Sequence, residues 1–205
     1  QQRYWRGLVL WHEEDGTWFP HKSIEPAREL EVDSDSAVKY EITIEPSGHP
    51  WVFALDMPGD TPQSLLFNED YRLVEYNPIN ERTNYQLTGF TSYRAFGLSK
   101  LQRKMGMELP DQVSERTRAL AHGWVDRHGA DDPQAIVNAA LAHFNSEPFV
   151  YSLKPGLLGK DPVDRFLFET RRGFCEHYAA SFTVLMRLAG IPTRIVLGYQ
   201  GGQYN

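Results

Sequence analysis

The 205-residue sequence has a single cysteine, Cys175, and no hydrophobic run near the ~20 residues that a membrane-spanning helix needs. One cysteine excludes an internal disulfide and argues against a structural zinc site, which uses several Cys or His at short spacing. Basic residues are in deficit, because 21 Lys and Arg against 27 Asp and Glu leave a net charge of −6. Such a chain lacks the basic face that phosphate contacts require, so a nucleic-acid partner is not expected.

What the sequence does contain is enough apolar material for a packed core. Hydrophobic residues make up 41% and charged residues 23%, which argues against intrinsic disorder. Aromatic residues reach 13%, a level typical of chains rich in β-strands.

The first half of the chain has the pattern of short strands and turns. Asp15-Gly16 is a strong hairpin signal, and residues 37–45 alternate apolar and polar side chains. Six or seven short strands at this spacing predict an antiparallel β-sandwich-like domain over residues 1–108.

The pattern changes near Leu109 to helical spacing, which predicts a second domain over residues 109–205 and an α+β fold for the whole chain. Asp-Pro pairs at 132–133 and 161–162 are helix-start signals, and Gly190 followed by Pro192 is a helix stop. The predicted helices cover 114–128, the stretch after Pro133, a short segment after Pro162 and a last one from Phe174 or Cys175; a strand follows over 193–199.

The segment whose residues suggest catalytic chemistry is Arg171-Arg172-Gly173-Phe174-Cys175. It places the only thiol at the start of the last predicted helix. Helix N-termini present free N–H groups and favour negative charge, so thiols there ionise more readily and act as nucleophiles. The same N–H groups can stabilise an oxyanion. Arg171 and Arg172 add positive charge, and we expect Gly173 to let the backbone turn tightly into the helix.

Each of these residues also has a structural interpretation. A lone cysteine often fills a core, and two adjacent arginines are commonly a surface pair. His177 lies two positions after Cys175, which rotates it about 200° around the helix, so we expect a structural role and not that of the base. Glu176 is expected to be solvated, and Trp124 and Tyr151 either shape a substrate cleft or belong to the core.

The remaining histidines carry no motif. We expect surface or helix-end positions for those on the predicted helices and exposed positions for those in the β region, namely His122, His128 and His143, and His12, His21 and His49.

The Cys175 segment and its continuation resemble the transglutaminase-like superfamily. In that family an Arg-x-Gly-x-Cys segment opens the central helix, an aromatic-Ala pair follows, and Ala-Gly-Ile-Pro-x-Arg precedes a strand ending in Gly-Tyr. The matching residues here are Arg171, Gly173, Cys175, Tyr178, Ala179, Ala189, Gly190, Ile191, Pro192, Arg194, Gly198 and Tyr199. The opening residues 2–7 and the Cys175-Glu176-His177-Tyr178 variant are similar to the bacterial membrane-anchored transglutaminases.

The resemblance implies a papain-like core and a Cys-His-Asp triad in which Cys175 is the catalytic nucleophile. It implies acyl transfer from a glutamine side chain to a primary amine through a thioester, with protein or peptide substrates and neither cofactor nor metal. It further implies a periplasmic region of an inner-membrane protein, anchored only through segments outside this chain. The family's His and Asp follow the Gly-Tyr strand, and residues 200–205 contain neither, so we expect the chain to stop short of them and to be inactive alone.

Two alternatives remain open at this point. One is a cysteine hydrolase, a protease or deamidase, on the same fold, because water can replace the amine. The other is a non-catalytic periplasmic binding or scaffold module with Cys175 buried. If the core is incomplete, residues 193–199 should form an unpaired sheet edge that favours association.

Overall fold

A computed structural model describes residues 3–21 and 25–201, and it confirms the α+β class, with antiparallel sheets and helices in comparable amounts. The strands are β1 Tyr4–Glu14, β2 Thr17–Pro20, β3 Leu30–Val32, β4 Ala37–Ile44, β5 Trp51–Val52, β6 Ala54–Leu55, β7 Met57–Pro58, β8 Leu65–Phe67, β9 Leu73–Glu75, β10 Thr83–Phe90, β11 Tyr93–Ala95, β12 Val150–Tyr151, β13 Arg172–Gly173 and β14 Ile195–Gln200. The helices are α1 Lys100–Met105, α2 Glu115–His128, α3 Pro133–Ser146, α4 Pro162–Arg165 and α5 Cys175–Leu188, and a π-helical turn, Phe166–Thr170, directly continues α4.

The chain folds into two compact units that alternate along the sequence. The first comprises Gln1–Leu10, Pro20–Gly97 and Val196–Asn205, and the second comprises Trp11–Phe19 and Leu98–Ile195. The domain boundary near residue 108 stays a prediction. Within the described residues, no helix is both long and apolar enough to cross a bilayer.

The first unit contains antiparallel sheets with the strand orders β4-β10-β7, β5-β9-β8 and β11-β3. Strand β4 pairs with β10 along its full length, with Tyr40 opposite Leu87 and Ile42 opposite Tyr85. The even-numbered residues of β4 face a core that includes Ile44, Tyr85 and Leu87. The alternation predicted over 37–45 is therefore confirmed, because a pleated strand with one buried face must alternate.

Strand β14 is a terminal strand of the sheet with the order β14-β1-β2. One edge of β14 is hydrogen-bonded to β1, as expected for an edge strand. Gly198 is required by this pairing, because a Cβ there would lie 2.2 Å from the carbonyl oxygen of Trp5. Association through the edge of β14 stays a prediction.

The second unit contains the turn region of the β1–β2 hairpin, Trp11–Phe19, and the helices. Asp15 and Gly16 have φ of +49° and +81°, so the predicted Asp-Gly turn is confirmed. Helices α2, α3 and α5 pack around a core that includes Trp124, Phe166 and Leu185. Trp124 is thus a core residue and does not shape a cleft.

Two details of the helical prediction are wrong. Residues up to about 105 were expected to form strands and turns, but Lys100–Met105 is a helix whose N-cap Ser99 forms a reciprocal capping box with Gln102. The helical spacing of the apolar residues after Pro133 also predicts a buried stripe that includes Leu141, yet Leu141 is 53% exposed while Ile136 and Ala140 are buried.

Candidate active site

Cys175 is the first residue of α5, and its thiol is free and exposed. Phe174 before it has extended backbone angles, so the helix begins abruptly at the cysteine. The N–H groups of Cys175 and Glu176 have no intrahelical acceptor, because no helical carbonyl group precedes the first turn of an α-helix. The structure therefore confirms the placement of Cys175 at a helix N-terminus, and it excludes the buried position that the scaffold interpretation assumed.

Gly173 is required for space and not for a tight turn. Its φ is not positive, and a Cβ there would lie 2.7 Å from the Cβ of His177 and 2.8 Å from the ring of Phe166. The left-handed residue of this segment is Arg171, with φ of +48°. The expectation that Gly173 supplies a turn is wrong, and its physical role is to let the first turn of α5 approach Phe166 closely.

His177 supports the helix terminus on the side away from the thiol. Its Nδ1 accepts a hydrogen bond of 3.3 Å from the N–H of Phe174, and its ring contacts that of Phe174 edge-on at 4.5 Å. Among the described residues, no histidine or aspartate forms a hydrogen bond with Cys175. The structural role expected for His177 is therefore confirmed.

The two arginines before Cys175 differ in their contacts. The Nη1 of Arg171 donates to Oε2 of Glu147 at 2.8 Å, and its guanidinium lies 5.8 Å from the centre of the Phe149 ring. Arg172 is exposed and forms no ion pair within the described part of the chain. Arg171 is thus paired with Glu147.

An exposed aromatic surface lies beside the segment that leads to Cys175. Strand β12 pairs in parallel with β13, with Tyr151 opposite Gly173, and the N–H of Ser152 donates to the carbonyl of Gly173 at 2.7 Å. Tyr151 is 61% exposed and stacks on Tyr178 at 6.3 Å. Burial and the neighbouring Tyr151 raise the pKa of Tyr178. Tyr151 is therefore open to solvent, whereas Trp124 is buried.

His143 differs from its expected position, since it lies half-buried near the end of α3. Its ring packs against Trp124, Phe144 and Phe149, and burial lowers its pKa. No hydrogen-bond partner of its Nε2 occurs among the described residues. His122 and His128 are exposed on α2, as are His12 and His49 in the β region, whereas His21 is half-buried.

A polar network centred on the buried Asp164 fixes the segment beneath the site, and sequence reasoning missed it. Asp164 accepts hydrogen bonds from Nε of Arg116 at 2.8 and 2.9 Å and from the hydroxyl of Ser114, the N-cap of α2. Arg116 also pairs with Glu169 at 2.8 Å, and these contacts hold the pKa of Asp164 below its usual range. The network joins α2 to the α4 segment and the π-helical turn that carries Phe166.

A cleft of about 1140 Å³ borders α5 on the face opposite the thiol. The helix contributes Glu176, His177, Ala180, Ser181 and Val184 to its wall, and Cys175 is not part of that wall. The described residues contain no group of three or more His, Cys, Asp or Glu that could hold a metal ion.

The comparisons with known proteins match both halves of the chain. Residues 1–95 match the family described as TgpA N-terminal domain, and residues 119–205 match the transglutaminase-like superfamily. The chain belongs to the transglutaminase-like superfamily. The N-terminal strands lie in the first matched region and the Cys175 helix lies in the second. The relatives described below match the chain across both regions.

The relatives of this transglutaminase-like chain are considerably longer than the chain itself. A protein-glutamine gamma-glutamyltransferase of Pseudomonas aeruginosa is 37% identical over 208 residues, which cover all of this chain and 31% of that protein. The uncharacterized protein YebA of Bacillus subtilis is 30% identical, over 93% of this chain and 27% of its own length. The chain thus spans less than a third of these curated relatives.

The solved structures show the same fold. The periplasmic domain of TgpA from Pseudomonas aeruginosa, crystallised with bound ethylmercury, superposes with a TM-score of 0.90 at 33% identity. That match covers all of this chain and 76% of the crystallised one. A second crystal structure of the same domain gives a TM-score of 0.90 at 32% identity over 75% of its chain.

Proposed function

We propose that Cys175 is the nucleophile of a protein-glutamine gamma-glutamyltransferase activity that joins a glutamine side chain to a primary amine. The single observation behind this proposal is the exposed thiol on the first residue of α5. The family and the name of the Pseudomonas relative support the transferase class.

The chemistry divides into two acyl transfers. The thiolate attacks the carboxamide carbon of glutamine, the C–N bond breaks, and ammonia leaves with a proton from the general acid. The unpaired N–H groups of the first helical turn stabilise the oxyanion that precedes each bond cleavage. The neutral amine then attacks the thioester and passes a proton to the general base, an isopeptide bond forms, the C–S bond breaks and the thiolate is released.

The general base and its carboxylate partner belong, in this proposal, to the remainder of the longer protein. No described His or Asp contacts Cys175, and His177 is engaged with the N–H of Phe174 on the far side of the helix. The relatives extend well beyond the matched region, which leaves room for these residues.

The proposed setting is the periplasmic region of an inner-membrane protein. The structural match is to a periplasmic domain, and the substrates would be proteins or peptides that carry glutamine and primary amines. Membrane anchoring would come from segments outside these 205 residues.

The test is incorporation of a labelled primary amine into a glutamine-rich protein by the full-length protein. We expect Cys175→Ala to abolish incorporation, by about a thousandfold or more, without changing the melting temperature, because the side chain is exposed. Ethylmercury labelling of the proteolytic peptide that contains position 175, which requires a thiol, should be lost in parallel because Cys175 is the only cysteine among these 205 residues.

Two outcomes would replace the proposal. Ammonia release that depends on Cys175 without amine incorporation would identify a deamidase or another cysteine hydrolase. Equal behaviour of the wild type and Cys175→Ala in both assays would leave a non-catalytic module.

A further inference from the structure

The cleft on the far face of α5 is strongly acidic. Seven carboxylates line it, against Lys160 and two histidines, His12 and His177. The carboxylates are contributed by three separate segments and by α5, and they are Glu13, Glu14, Asp15, Asp111, Asp161, Asp164 and Glu176. A cleft with one sign of charge concentrates ligands of the opposite sign.

Most of this charge is not neutralised by the protein. Asp164 is paired with Arg116, but Glu14, Asp15, Asp111, Asp161 and Glu176 form no ion pair within residues 3–21 and 25–201. The carboxylates are also too dispersed to form a group that could hold a metal ion. An extended ligand with several spaced cationic groups fits this arrangement better than a single ion does.

A second observation at the cleft points to a ligand independently of the charge. Ser181 lines the wall on α5 and is 1% exposed, and its Oγ has no hydrogen-bond partner in the described part of the chain. Buried hydroxyls are normally hydrogen-bonded, so the Oγ of Ser181 is a polar atom of the cleft wall that no described residue satisfies.

The cleft and the thiol share the first turn of α5. Phe174, Glu176 and His177 border the cleft, and Cys175 lies between them in sequence on the opposite side of the helix. An α-helix with its side chains is about 10–12 Å across. An extended peptide advances about 3.3–3.6 Å per residue, so three or four residues lead from the cleft around the helix terminus to the thiol.

We propose that this cleft binds a basic segment of the protein that supplies the amine. The cationic residues of this segment occupy the cleft. They lie at least three or four positions along the chain from the reactive lysine, and the lysine reaches the thioester on Cys175. This inference rests on the proposed transferase function for its substrate class.

Binding is tested separately from chemistry, in the full-length protein carrying Cys175→Ala. The probe is a fluorescent twelve-residue peptide with three arginines and no lysine or glutamine, measured by anisotropy at low salt. The cleft variant combines Glu14→Gln, Asp15→Asn and Asp111→Asn, and asparagine tolerates the positive φ at position 15. The control variant, with the same change in net charge, combines Glu115→Gln, Asp126→Asn and Asp131→Asn at exposed positions outside the cleft.

We expect the dissociation constant to rise about tenfold in the cleft variant and less than about twofold in the control. Equal weakening in both variants, or none in the cleft variant, overturns the inference. A peptide with serine in place of arginine should bind neither variant.

A kinetic readout distinguishes failure of this inference from failure of the proposed function. With the active Cys175 protein, the cleft variant should raise KM for a lysine peptide carrying distant arginines about tenfold at unchanged kcat. It should leave KM for a simple labelled monoamine unchanged. If the wild type incorporates no amine while the cleft variant alone loses peptide binding, the transferase proposal fails and the basic-peptide cleft stands.

Discussion

The two ends of helix α5 differ sharply in their exposure to solvent. Cys175 and Glu176 at the start are exposed, whereas Val184, Leu185, Met186 and Arg187 near the end are at most 2% exposed. The buried half anchors the helix in the core, so its first turn is held in place although it is open to solvent. A reactive group on a rigid element keeps its geometry better than one on a loop.

Arg187 explains much of the anchoring at the buried end. It donates to the carbonyls of Trp11, Glu108 and Thr193 at 2.5–3.1 Å, and its guanidinium lies 5.1 Å from the centre of the Trp18 ring. Burial lowers its pKa to about 10, so it remains charged at neutral pH.

The largest effect on stability is expected for Arg187→Met, which keeps the apolar stem but removes every donor. The buried carbonyl of Trp11 and the partly buried carbonyls of Glu108 and Thr193 would lose a charged partner, at a cost of about 3 kcal/mol in the free energy of unfolding. Urea unfolding at pH 7 measures it, with Arg187→Lys as an intermediate control. A loss below about 1 kcal/mol would show that Arg187 does not anchor the helix.

Gly173→Ala addresses the exposed end. The added Cβ would overlap His177 and Phe166, so we expect a loss of about 2 kcal/mol and a changed alkylation rate of Cys175. The matched control is Gly123→Ala in α2, where nothing lies within 4 Å of the added Cβ and stability should not fall. Wild-type stability in Gly173→Ala would mean that the first turn adjusts freely.

Asp164→Asn tests the network beneath the first turn and should cost about 1.5 kcal/mol at pH 7. The pKa of Asp164 is lowered in the folded state, chiefly by its hydrogen bonds with Arg116. Its contribution is therefore complete above the unfolded-state pKa of about 4 and is lost as the pH falls through the lower folded-state value.

The free energies of unfolding of the wild type and of Asp164→Asn, measured at pH 7 and again below pH 4, check the direction of this pH dependence. The gap between wild type and Asp164→Asn should narrow at the lower pH. A gap that stays constant would place the cost in packing and not in the charge of Asp164.

The smallest effect is expected at His177. His177→Ala removes the acceptor for the N–H of Phe174 and should cost about 0.5–1 kcal/mol. His177→Gln restores an acceptor at the third helical position and should recover most of this stability. Amine incorporation should change only a few-fold in either variant, and its loss in both would identify His177 as a base.

Local patterns predicted the elements well where one short segment contains the whole signal. The alternation of β4, the Asp-Gly turn and the start of α5 at Cys175 are of this kind. Helix α1 was also visible in principle, because Ser99 and Gln102 form a capping-box pattern.

Features that depend on distant contacts were not predictable. Arg187 is a cation in the last turn of a helix, where sequence reasoning expects solvent, yet its acceptors come from residues 11, 108 and 193. Leu141 matched the apolar stripe of α3, but no element in the described part of the chain covers it, and it is 53% exposed. The pairing of Asp164 with Arg116 joins residues 48 positions apart.

The sequence by itself determined that Cys175 opens a helix and that His177 faces away from it. The orientation of His177 follows from local geometry, because each residue turns an α-helix by about 100°, and Gly190 and Pro192 mark only the end of the helix. Only the tertiary structure decided that the thiol is exposed and that seven carboxylates gather on the opposite face. Burial and charge clustering depend on which distant segments pack together, and no local period encodes that choice.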